Sequence, residues 1–234
     1  MTYKIKVAGR LTPAARVTEV IRQTLAAPAL NQWMLEQVAQ YAQHATNGQR
    51  MAATPKELVA AWRGSSRGAA ERGSRIHAYA AACLTGGVPA TPTPSERGYA
   101  LAFTNWLADH QGYEPVAVEQ TVTTGKTIHL VAGTFDALFT DGDDLVLCDW
   151  KTCEETPPAQ PYLNQVTQVG AYADMRLRLL PDGSTTGIVP RPTRAFVVYL
   201  TPRGYVEREV DLEQAETAWL FVLHLWTMRK NLGG

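Results

Sequence analysis

Apolar positions recur every three to four residues through the first third of the chain and then switch to alternation, the spacings of an amphipathic helix and of a half-buried strand. The stretch "RVTEVIRQTLAAPALNQWMLEQVAQYAQHA" reads as one or two amphipathic helices, behind a short strand at Tyr3 to Val7. "TPKE" at Thr54 and "TPSE" at Thr93 each offer an N-cap hydroxyl, a proline at the first helical position and a glutamate at the third. Helices are therefore expected to begin near residues 55 and 94. Between them, helical spacing runs from Ala69 to Leu84, carries His77 and stops at Gly86 and Gly87.

From Pro115 the period is two. "PVAVEQTV" and "TIHLVAGTFDALF" flank "TTGK", and "LVLCDW" follows "TDGDD", so residues 115 to 150 predict a three-stranded meander. After "TPPAQP" comes a helix from about Tyr162 to Leu180, ended by "PDG". Strands "RAFVVYL" and "YVEREV" follow around "TPRG", and Asp211 with Gln214 opens a last helix. The order predicts one α/β domain over 1–234, with a mainly helical lobe at 1–112 and a sheet core at 113–234.

Composition changes little in this picture. In 234 residues, 45% hydrophobic content is ample for a core, and no window approaches the roughly 20 apolar residues of a membrane span. "MTYKIKVAGR" has no apolar run behind its basic residues, so no secretory signal is expected and a cytoplasmic location is the default. Cys83, Cys148 and Cys153 form no paired framework and are read as packing residues.

Charge is more informative by segment than in sum. Arg50 to Arg75 holds six bases against two acids, whereas Trp106 to Thr156 holds ten acids against Lys126 and Lys151. The first stretch suits phosphates and the second cations, and both also fit ordinary solvated faces.

Candidate chemistry sits in "GTFDALFTDGDDLVLCDWKT" (133–152). A short hairpin brings Asp136 and Asp149 side by side across the sheet, where two carboxylates repel unless something positive lies between them. A divalent cation fills that role, and Lys151 shares the face of Asp149 two residues on, with Trp150 turned into the core. Such a set suits phosphodiester hydrolysis; a plain salt bridge at the sheet rim is the competing reading.

These residues resemble the PD-(D/E)xK nuclease superfamily, whose signature is an acid on one strand and acid-x-Lys on the next. "GSRIHAYA" and "QVTQVGAYADM" add the helix histidine and glutamine-tyrosine motif of its RecB-like branch, including phage and CRISPR-associated members. The resemblance covers roughly residues 66 to 180. It implies a restriction-endonuclease-like core with a mixed central sheet of about five strands flanked by helices. It also implies His77, Asp136, Asp149 and the Trp150 carbonyl as ligands of Mg²⁺ or Mn²⁺, imidazole suiting Mn²⁺ better. Lys151 is then catalytic, together with Asp136 and Asp149.

Gln168 and Tyr172, four apart on one helical face with Gln165 a turn earlier, are implied to contact DNA or brace the site, and Thr152 to position it. Arg72 and Arg75 are candidates to guide phosphates, although solvent-facing arginines are equally common. Glu119 is a further acid near the metal or an exposed strand residue.

The implied activity is a metal-dependent deoxyribonuclease, an exonuclease acting on single-stranded DNA or duplex ends in recombination or repair. A recombination partner protein and a phage origin, with host cytoplasm as location, are in keeping with it. A structure-specific or restriction-type endonuclease and a non-catalytic DNA-binding subunit are the alternatives. Phe135 stands where the family's usual proline precedes the first aspartate. No cysteine follows Cys153, so no iron-sulfur cluster is expected. "TTGKT" lacks the first glycine of a phosphate-binding loop, Gln120 standing there, so "TTGK" is a hairpin turn and no ATP is implied.

Overall fold

The computed structural model describes residues 3–25, 55–124, 130–154 and 156–232, with side chains in the helix from Pro55 described from Arg67 onward. Its helices are α1 (Val17–Leu25), α2 (Pro55–Leu84), α3 (Arg97–Asp109), α4 (Leu163–Asp174) and α5 (Leu212–Asn231). Its strands are β1 (Tyr3–Val7), β2 (Arg10–Arg16), β3 (Glu114–Thr123), β4 (Val131–Asp141), β5 (Asp144–Thr152), β6 (Leu177–Leu179), β7 (Thr185–Ile188), β8 (Arg194–Thr201) and β9 (Gly204–Glu209).

All nine strands join one mixed sheet in the order β7-β6-β3-β4-β5-β8-β9, with β2 parallel to β4 and β1 antiparallel to β2. The fold is mixed α/β, as the sequence predicts, with more strands than the expected five. Two helical layers cover the sheet. On one face, α1, α4 and α5 contribute Val20, Val169 and Trp219 to a cluster with Phe135, Leu147 and Val197. On the other, α2 and α3 bring Ile76, Phe103 and Trp106 against Phe139, Cys148 and Trp150. The switch from residue to residue along β5 is the period-two alternation of a strand buried on both faces.

The helix expected to begin near residue 55 does so, and as α2 it runs unbroken through "RGSSRG" into the helical stretch expected over Ala69 to Leu84. Its end follows the prediction: Gly86 takes a left-handed φ of 71° and the Gly87 N–H caps the Ala82 carbonyl at 2.9 Å. The second proline-led start opens as a turn at Thr93, whose N–H the Glu96 carboxylate accepts at 2.9 Å, and regular helix begins only at Arg97.

The helix expected to reach Leu180 ends at Asp174, because Met175 turns to an extended ψ of 104° and the chain enters β6 and β7. The strand β2 was hidden by Pro13, tolerated there in a short hairpin against β1. By contrast, β3 to β5, β8, β9 and the Asp211 cap on Gln214 N–H at 3.0 Å follow the expected pattern. The helices expected between residues 26 and 45 and most of the "TTGKT" turn lie outside the described residues. Among the described residues no helix is long and apolar enough to cross a membrane.

Candidate active site

The sheet is interrupted at Asp136. The antiparallel ladder between β4 and β5 runs from Asp141 opposite Asp144 to Ala137 opposite Cys148 and stops there. Further along β4, Ala132 pairs with Thr123 of β3 on one side and Arg16 of β2 on the other, so β2 occupies the edge that β5 has left. Between Ala137 and Ala132 that edge of β4 has no strand partner among the described residues. On the opposite edge the ladder skips Glu119, which adopts a left-handed φ of 48°. The alternation of β4 slips at the same point, since Phe135 and Leu138 share one cluster while Ala137 and Phe139 share the other.

A cavity of about 1080 Å³ opens at this gap, lined by both layers: His77 and Ser74 from α2, Gln168 and Tyr172 from α4, with Asp136 and Lys151 between. His77 Nδ1 lies 2.9 Å from Asp136 Oδ1, and the second Asp136 oxygen accepts the Trp150 N–H at 2.7 Å. One ligand atom each of His77, Glu119 and Asp136 lies within 4.8 Å of the other two. Trp150, whose carbonyl is in the expected ligand set, lines the cavity, whereas Asp149 of that set is not in the group. Glu119 is, although a non-glycine residue in left-handed backbone is unfavourable unless its surroundings hold it there.

Asp149 Oδ2 instead faces Lys151 Nζ at 2.5 Å in a close ion pair. The ammonium also donates to Gln168 Oε1 at 3.2 Å, and Gln168 Nε2 donates to the Tyr172 hydroxyl at 3.1 Å, so the helical pair meets the strand motif directly. Gln165 lies outside that chain and braces it. Its Oε1 accepts from the Tyr162 N–H at 3.0 Å and from the Tyr199 hydroxyl at 2.5 Å, pinning the start of α4 to β8. Thr152 lines the cavity where α2 crosses β5; a Cβ on Gly73 would sit 3.4 Å from its hydroxyl.

The electrostatics follow from crowding and burial. Burial opposes the imidazolium of His77, but the Asp136 carboxylate outweighs it and raises the histidine. The Glu119 carboxyl, exposed at its outer side, is pushed up by partial desolvation and then by Asp136. Burial also raises Asp149 against the pull of Lys151. Lys151 is raised because Asp149 and Asp136 overcome its own burial, so it stays an ammonium at neutral pH.

Arg72 and Arg75 have acidic partners of their own. Arg72 pairs with Glu154 at 2.6 Å and lies 5.1 Å over the Tyr99 ring, Arg75 pairs with Glu96, and neither lines the cavity. The sequence gives no sign of the remaining wall, which comes from Tyr3, Arg16 and Thr18. The one cue, basic residues around Pro13, does not mark a site.

A divalent cation fits this donor set. Three carboxylates face one ammonium and one imidazole, so the set keeps net negative charge. Oxygen-rich sites of net negative charge suit hard cations.

No curated protein matches the chain. Among solved structures, that described as the crystal structure of SSO0001 is similar over 93% of this chain and 76% of its own, at 13% identity and a TM-score of 0.42. The family profile of the PD-(D/E)XK nuclease superfamily matches residues 10–224, which include Asp136, Asp149 and Lys151. The chain therefore belongs to the PD-(D/E)XK nuclease superfamily, whose members are metal-dependent nucleases.

Proposed function

We propose that this chain is an exonuclease of the RecB-like branch, hydrolysing phosphodiester bonds at DNA ends or in single strands with Mg²⁺ or Mn²⁺, in recombination or repair. One observation carries the reading: His77, Glu119 and Asp136 offer ligand atoms within 4.8 Å of one another and line one cavity with Lys151, which pairs with Asp149. The helix histidine and the Gln168–Tyr172 pair are the features that favour the RecB-like branch.

His77, Glu119 and Asp136 would hold the cation, which supplies a more acidic water and screens phosphate charge. Lys151, kept an ammonium by Asp149 and Asp136, donates to a non-bridging phosphate oxygen as negative charge grows there; its raised pKa makes it a poor general base. Asp149 keeps that ammonium on the cavity side of β5, and Gln168 fixes its direction, itself oriented by the Tyr172 hydroxyl. Trp150 supports Asp136 through its backbone N–H.

Incubation of the purified protein with linear and covalently closed DNA, with and without Mg²⁺ or Mn²⁺, tests the reading. Metal-dependent shortening of linear DNA, lost in Lys151→Ala and Asp149→Ala, is expected. Cleavage of the closed circle would assign an endonuclease instead, and unchanged cleavage in both variants would remove the site from the reaction.

A further inference from the structure

We propose that Arg16 is a substrate-positioning residue whose guanidinium holds a backbone phosphate of the DNA entering the cavity, carried there by the β1–β2 hairpin. The inference deepens the nuclease reading and rests on it.

The charges of the cavity lead to Arg16. Among the described lining residues the cationic side chains are Arg16 and Lys151, with His77 titratable. Lys151 is committed to Asp149 and Gln168, and His77 to Asp136. Arg16 joins none of the ion pairs among the described residues and is exposed. Glu119 and Asp136 repel an approaching phosphate, so an uncommitted cation on the same wall offsets that repulsion.

Its placement is fixed at two levels. In the backbone, Arg16 pairs with Ala132 of β4, and the Ala15 N–H donates to the Leu130 carbonyl at 2.8 Å, which sets the residue four positions along the strand from Asp136. In the side chain, the guanidinium lies 5.9 Å from the centroid of the Tyr3 ring. The Tyr3 hydroxyl is bonded to Thr134 Oγ1 at 2.9 Å, and Thr134 to Thr121 Oγ1 at 2.8 Å, so the platform under Arg16 is tied to the strand that bears Asp136. A guanidinium already held on a ring presents its planar fork of donors with less freedom to lose, and that fork matches two oxygens of one phosphate. Contact with phosphate is independent of base sequence, as a nuclease acting along a strand requires.

The test is steady-state cleavage of labelled single-stranded DNA, with equilibrium binding measured over a range of salt. Arg16→Ala is expected to raise KM about tenfold with kcat within about twofold of wild type, the loss of one charge-assisted contact. The slope of log affinity against log salt falls by about 0.7, one phosphate contact on a single strand. Arg16→Lys recovers part of the KM, because a point charge replaces the fork. Arg10→Ala removes a charge from the same hairpin away from the cavity and leaves KM and slope at wild type. Wild-type KM and slope in Arg16→Ala overturn the assignment on an otherwise active nuclease, as does an equal shift in Arg10→Ala, which would reduce the effect to net charge. A wild type that neither binds nor cuts DNA overturns the nuclease reading along with it.

Discussion

Consecutive residues of β5 enter opposite environments. Cys148 and Trp150 point into a dry aromatic layer, where Trp150 lies 4.7 Å from Trp106 and 5.4 Å from Phe103, and the Trp106 indole N–H is satisfied by Glu207 at 2.6 Å. Asp149 and Lys151 take the other face, where Asp149 is buried against the lysine, Glu119 is held in left-handed backbone and burial raises the Asp149 carboxyl. One face concentrates favourable burial and the other concentrates charge that folding alone would disfavour. The polar face is affordable because the aromatic face locks the same strand.

The largest effect should come from the aromatic side. Trp150→Ala is expected to lose about 3–5 kcal/mol of stability in urea unfolding, since a fully buried indole leaves a cavity. A loss below about 1 kcal/mol, the range of ordinary substitutions, would show that the layer does not carry the strand. Lys151→Ala, one residue on, should lower kcat by about 10²–10³ with the far-UV circular dichroism of wild type. A variant that unfolds instead would erase the contrast between the faces.

Gly170 couples the regions, because α4 carries Gln168 and Tyr172 and crosses α5 at this glycine. A Cβ there would collide with the Ala215 carbonyl oxygen, so Gly170→Ala is expected to cost about 1–3 kcal/mol in the same unfolding assay. An unchanged midpoint would mean that the crossing relaxes freely.

The smallest effect concerns the link between the helix of His77 and the aromatic layer. The Arg75 guanidinium, then the Thr93 N–H, lowers the Glu96 carboxyl to about 2, so the folded state holds this proton less tightly than the unfolded chain. Its stabilisation is complete above the unfolded value of about 4.3 and fades as pH falls toward about 2. Urea midpoints of wild type and Glu96→Gln should therefore converge between about pH 4 and about pH 2. Curves that stay parallel through that window would contradict the pairing.

Much of this was legible in the sequence. The β4–β5 hairpin follows from alternation and the "DG" turn, with Gly142 at a φ of 59°, and alternation alone puts Asp149 and Lys151 on one face with Trp150 opposite. Gln168 and Tyr172 follow from helical spacing. His77 meets Asp136 across 59 positions, which no periodicity encodes, and only the family resemblance put the two in one ligand set. What stayed hidden is local strain and distant pairing. Glu119 is the exposed strand residue of one reading and also reaches the His77–Asp136 group of the other, and its left-handed backbone occurs without the glycine that would have marked it. The short strands β6 and β7 were lost because "YADMRLRLL" keeps apolar residues at helical intervals past the end of α4. Arg72 and Arg75 sit in a basic stretch, and only the fold reveals Glu154 and Glu96 as their partners.

The central claim is that the gap in β4's edge holds a divalent cation through His77, Glu119 and Asp136. Calorimetric titration of Mn²⁺ into the wild type and into Asp136→Asn, which keeps an acceptor for the Trp150 N–H, addresses it most directly. Saturable binding by the wild type, weakened at least about tenfold in Asp136→Asn as a charged ligand is lost, is the expected result. Equal Mn²⁺ affinity in the two proteins would contradict it.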